Sequence, residues 1–140
     1  MTTENDPLFL AESKTILVVD DSEDSVSILL ELLSDYDLLV ALDGESALEM
    51  LIEEQVDLVL LDIQMPGIDG YETCRRLKSQ PDIADIPVVF ITAETTAEAI
   101  DKAYEMGAVD YISKPFKPRE VRVRVHNHLS LQVLTRQLRG

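Results

Sequence analysis

At 140 residues, 46% hydrophobic and 28% charged, the chain is about one domain's worth of globular protein, and no apolar stretch reaches the ~18–20 residues of a membrane span. Its net charge of −15 divides unevenly: residues 1–115 carry 6 basic and 26 acidic side chains, residues 116–140 carry 6 basic and 1 acidic. So acidic a body repels phosphate backbones, which argues against direct nucleic-acid binding, and the basic tail reads as a helix that packs on its own domain or on an acidic partner.

The first 13 residues, MTTENDPLFLAES, have no clear period and read as a loose arm. Acidic residues stand where a signal peptide would be basic, and the lone cysteine, Cys74, excludes an intrachain disulfide. Both features fit a cytoplasmic location. Thr15–Val19 (TILVV) is the first predicted strand. Ser22 is a candidate N-cap, and Val26, Leu29, Leu30 and Leu33 follow at helical spacing. Asp37–Ala41 (DLLVA) predicts a second strand; Asp43-Gly44 then turns the chain into a helix marked by Ala47, Leu48, Leu51 and Ile52.

Leu58–Leu61 predicts the third strand and Tyr71–Ser79 the third helix. Ile86–Ile91 (IPVVFI) predicts the fourth strand, with Pro87 near its start, where a missing N–H is harmless. Thr96–Met106 reads as a helix stopped by Gly107, and Val109–Ile112 as a short fifth strand. The last helix starts near Pro118. Val121, Val123 and Val125 alternate with arginines as a strand would, but the pattern runs on through Leu129, Val133 and Leu138 without a turn signal, which makes it helix.

Short aliphatic strands alternating with helices predict a five-stranded parallel sheet of order 2-1-3-4-5, with helices on both faces. In that order the polar residues at the strands' carboxyl ends meet at one edge: Asp20 and Asp21, Asp62, Thr92 and Lys114. Carboxylates held close together repel, and a bound cation relieves them. With oxygen ligands and no His or Cys nearby, the fitting ion is Mg²⁺ or Mn²⁺. Metal, ammonium and hydroxyl together suit a phosphoryl group, and Asp62 is the natural nucleophile to receive it.

ILVVDDSEDS, LVLLDIQMPGIDG, VVFITAE and VDYISKPF, in this order and spacing, resemble the signatures of the two-component response-regulator receiver family, the CheY-like domains. The resemblance covers about Lys14 to Leu131. It implies that Asp62 is phosphorylated by a partner histidine kinase or phosphotransfer protein. It further implies that Asp21, Asp62 and the backbone carbonyl of Gln64 bind Mg²⁺ directly, and Asp20 largely through water. By the same resemblance Thr92, the Ala93 amide and Lys114 hold the phosphoryl oxygens, with the Lys114–Pro115 bond cis. Tyr111 would be the aromatic switch that follows Thr92, and Gln64 and Glu94 would tune hydrolysis of the aspartyl phosphate.

Plainer readings accompany several of these residues. Asp20 and Asp21 suit a helix N-terminus without any metal, and Tyr111 has core packing as its plainer alternative. Cys74 reads as a small packed residue. His126 and His128, two apart on a helix, point to different faces and read as solvated or partner-facing rather than as a metal pair. Acidic Glu98, Asp101 and Glu105 on the fourth helix, beside basic Arg119, Arg122 and Arg124 on the fifth, suggest a homodimer face. Val109 stands where the DNA-binding subfamily with that dimer mode commonly has Asp.

Leu131, Leu134 and Leu138 begin a coiled-coil spacing, an alternative dimer contact. Residues 132–140 are thus expected to be a helical extension of the 14–131 receiver or the start of a linker to an output domain; a stand-alone receiver fits as well. Two other functions compete with the phosphorylation switch. One is a Mg²⁺-dependent phosphohydrolase working through an aspartyl phosphate, though the large family of that kind wants a second Asp where Gln64 stands. The other is a docking domain independent of phosphorylation.

Overall fold

The computed structural model describes residues 14–139. The elements in chain order are β1 (Thr15–Val19), α1 (Glu23–Leu32), β2 (Asp37–Ala41), α2 (Gly44–Glu53) and β3 (Leu58–Asp62), followed by α3 (Gly70–Lys78), β4 (Val88–Thr92), α4 (Ala97–Glu105), β5 (Asp110–Ser113) and α5 (Pro118–Arg139). All strand pairs are parallel and the order is β2-β1-β3-β4-β5, as the alternation of apolar runs requires. The arm expected over residues 1–13 lies outside the described residues.

Each strand residue alternates between two cores. Leu17, Val19, Val59, Leu61 and Phe90 face α2, α3 and α4, packing with Leu48, Leu51, Cys74, Leu77 and Ala103. Ile16, Val18, Leu58, Leu60, Val89 and Ile91 face α1 and α5, packing with Val26, Leu29, Val121, Val125 and Leu129. β3 is buried at all five positions, which is why LVLL needs no polar alternation.

Caps set the helix starts at the sheet edge that carries the site. Ser22, Asp43, Asp69 and Thr96 each accept a hydrogen bond from the backbone N–H three residues on. Besides β3, which runs on to Asp62 rather than ending at Leu61, two strand expectations shift. β4 begins at Val88 rather than Ile86, and β5 spans Asp110–Ser113 rather than Val109–Ile112. The register explains both: Val89 pairs with Asp110 and Thr92 with Ser113, so both strands run on to the level of the acidic edge.

α5 is one uninterrupted helix of 22 residues. Val121, Val125, Leu129 and Val133 form its buried face, whereas Leu131, Leu134 and Leu138 are exposed. No helix among the described residues is long and apolar enough to cross a membrane.

Candidate functional site

Register brings the acids together. Val19 pairs with Leu61, so the residues that follow, Asp20 and Asp62, reach the edge side by side. Asp20 is fully buried, Asp62 is 6% exposed and Asp21 is exposed. Carboxylate oxygens of all three lie within 4.8 Å of one another. Asp20 Oδ1 accepts from the Ser22 N–H at 2.9 Å. Asp20 Oδ2 is buried without a hydrogen bond, and Lys114 Nζ stands 3.1 Å from it as an ion-pair partner.

Lys114 Nζ also donates to Asp62 Oδ2 at 3.5 Å, and the Gln64 N–H donates to Asp62 Oδ1 at 3.4 Å. Burial pushes the Asp62 carboxyl up to about 6, and the charge of Asp20 adds to the rise; Lys114 and the Gln64 N–H pull it back. One lysine therefore does not offset two buried acids. The donor set is oxygen only, and its orphaned oxygen and raised carboxyl are what a hard divalent cation would relieve.

The loop after β3 leaves this edge open. Gly67 turns it with φ +77°, and the Gly70 N–H donates to Ile63 O at 2.8 Å, closing the loop onto the strand end. A Cβ at Gly70 would stand 2.3 Å from the Asp62 carbonyl oxygen, so only glycine permits this approach. The result is a cleft of about 560 Å³, lined by Asp21, Asp62, Gln64, Met65, Thr92, Ala93, Glu94 and Lys114, together with Asp69 and Tyr71.

Thr92 Oγ1 donates to Glu94 O and accepts from the Glu94 N–H, both at 2.9 Å. Gln64 Nε2 donates to Glu94 Oε1 at 3.4 Å across the exposed mouth. Lys114 is held by its own N–H on Thr92 O at 2.8 Å, and its bond to Pro115 is cis. Of the residues expected at the site, Asp20 lies buried beneath the cleft lining and Tyr111 stands apart from it. Tyr111 pairs in register with Phe90, and its ring lies under Arg124, 5.1 Å from the guanidinium carbon.

Two contacts refine the reading of α5. His128 is half-buried, its Nε2 2.9 Å from Asp110 Oδ2. Arg124 pairs within the chain, with Asp110 and with Glu120 and through a hydrogen bond to Tyr111 O, so it is not a free basic group for a dimer face. Cys74 is buried, its Sγ donating to Met106 O at 3.3 Å. Asp69 and Tyr71, not singled out from sequence, line the cleft because the closed loop returns them there; the signal was the Gly67–Gly70 spacing after Asp62.

A family model described as the response regulator receiver domain matches residues 16–126. The alkaline phosphatase synthesis transcriptional regulatory protein PhoP of Bacillus subtilis is 44% identical over 117 residues, 81% of this chain and 47% of its own. A Vibrio cholerae protein named "Probable cyclic di-GMP phosphodiesterase" is 42% identical over 116 residues, 82% of this chain and 26% of its own. The chain thus spans less than half the length of these curated relatives. The signal receiver domain of an HD domain-containing protein from Pseudomonas fluorescens superposes with a TM-score of 0.81 at 29% identity, covering 90% of this chain and 93% of that one. The matched segment contains all five strands but for Thr15 and every residue of the cleft, and by that match the chain belongs to the response regulator receiver domain family.

Proposed function

We propose that the chain accepts a phosphoryl group on Asp62, with Mg²⁺, from a histidine kinase or phosphotransfer protein, and relays the change to its α4–β5–α5 surface. Receiver domains are signalling phosphoacceptors of two-component systems, which supplies the class. The observation that carries the assignment to Asp62 is its place: a nearly buried carboxylate at the floor of an open cleft, 3.5 Å from Lys114, in a cluster of acids within 4.8 Å.

The chemistry follows from the residues. An Asp62 carboxylate oxygen forms the new P–O bond as the donor's P–N bond breaks, and the departing imidazole takes a proton from solvent. Lys114 stays paired with the phosphoryl oxygens it meets, while the Ala93 N–H and the Thr92 hydroxyl donate to them, Thr92 giving up its bond to Glu94 O. Asp21, Asp62 and the Gln64 carbonyl would hold Mg²⁺ (or Mn²⁺), with Asp20 acting through water. Bound there, the ion supplies charge neutralisation for the carboxylates and the transferring group. Gln64 and Glu94, bridged across the mouth, would set how easily water reaches the product. Tyr111, beside Thr92's strand and beneath Arg124, is the residue we assign to the switch.

The partner surface is proposed on similar grounds. Tyr104, Val109 and Val123 are exposed apolar residues on α4, the turn before β5, and α5. They support a contact with a partner or a second copy there; the exposed Leu131, Leu134 and Leu138 support a second contact along α5. We read residues 14–131 as the receiver and 132–140 as its extension or the start of a linker, in a cytoplasmic protein. Intact mass after incubation with Mg²⁺ and acetyl phosphate tests the reading. One phosphoryl adduct is expected on the parent and none on Asp62→Ala; equal adducts, or none on the parent, would sink it.

A further inference from the structure

α4 is a lightly embedded helix: of its nine residues only Ala103 is buried, whereas α2 buries Gly44, Ala47, Leu48 and Leu51. Two contacts hold it toward α3. Cys74 Sγ donates to Met106 O at its end. One turn earlier, Lys102 Nζ stands 4.2 Å from the centroid of the Tyr71 ring, within cation–π range. Tyr71 sets its ring edge-on against Phe90 of β4, with centroids 5.5 Å apart, and lines the cleft around Asp62. Burial, then the charges of Glu94 and Asp69, keep its phenol protonated.

We infer that Lys102 and Tyr71 form a brace that ties α4 to the cleft wall and slows hydrolysis of the aspartyl phosphate; the inference rests on the proposed phosphoacceptor role of Asp62. In that hydrolysis a water oxygen bonds to phosphorus as the P–O bond to Asp62 breaks. The carboxylate leaves, one water proton stays on the phosphate and the other goes to solvent. Water must enter past the mouth, where Gln64 meets Glu94 and Tyr71 forms the adjoining wall. Glu94 belongs to the short segment that runs from Thr92 into the Thr96 cap of α4, so the position of α4 sets the position of this rim. Tyr71 and Lys102 are positioning residues: they act by holding the wall and the helix together, not by touching the reacting atoms.

The test follows the decay of the phosphoryl adduct by intact mass on the full chain, after loading with acetyl phosphate and Mg²⁺ and removing the donor. Lys102→Met and Tyr71→Leu are each expected to shorten its half-life by about two- to fivefold, the range to which an exposed cation–π contact converts. Lys102→Arg and Tyr71→Phe keep the cation and the ring and should restore the parent half-life, which a merely structural role would not require. The double variant should decay no faster than the quicker single one. Unchanged half-lives in both single variants, or effects that add in the double, overturn the brace while leaving the acceptor role intact. A parent that takes up no phosphoryl group overturns the acceptor role and the brace together.

Discussion

Asp62 is held in a place that costs the fold stability at neutral pH. Burial and the adjacent Asp20 keep its proton on up to about pH 6, whereas an unfolded chain releases it near the ordinary carboxylate value of 3.8. The native state therefore binds more protons across that window, and its stability falls as pH rises through it. The loss is on the order of 2–3 kcal/mol at pH 7 in the absence of metal. Asp62→Asn, of the same shape without the charge, should be more stable than the parent above about pH 6 and equal to it below about pH 4. Denaturant melts at the two pH values check this; a variant no more stable at neutral pH would contradict the electrostatic account of the site.

At the scale of elements, the acids were legible in the sequence because each follows an aliphatic run, and strand order alone brings such ends together. The N-caps were legible in part: Ser22 was read as one, and Asp43 only as a turn. The strand limits of β4 and β5 were not, because register against the neighbouring strand, rather than local composition, sets where pairing stops. The pairing of His128 with Asp110 and the brace of Lys102 on Tyr71 were likewise invisible, since residues 18 and 31 positions apart meet only once the helices have docked.

α5 divides by face. Leu129→Ala, at a fully buried site, should cost about 2–5 kcal/mol, and Leu138→Ala, 89% exposed, should stay within about 0.5 kcal/mol. Gly70→Ala should lower stability and disturb the cleft together, because its Cβ would strike the Asp62 backbone. Melts combined with the adduct assay would show both losses; a Gly70→Ala protein with parental stability would mean the loop can shift freely.

For the whole molecule, the proposed function makes the acidic edge the point where folding, metal and phosphorylation are linked. A cation that binds only the native state stabilises it in proportion to its occupancy, so Mg²⁺ should raise the melting temperature of the parent. The rise should be much smaller in Asp62→Asn, which lacks one of the ligand charges. The two-sided core explains why so acidic a chain still folds: the charge lies on surfaces and at one edge, while the sheet is apolar throughout its middle.

The central claim is that the acceptor is Asp62. Reductive trapping of the phosphorylated protein with borohydride converts an aspartyl phosphate to homoserine, and peptide mapping then locates it. The account predicts a single modified residue, at position 62, appearing only when Mg²⁺ and a phosphodonor are both present. Homoserine at position 20 or 21, or none in a protein that has gained a phosphoryl group, would contradict it.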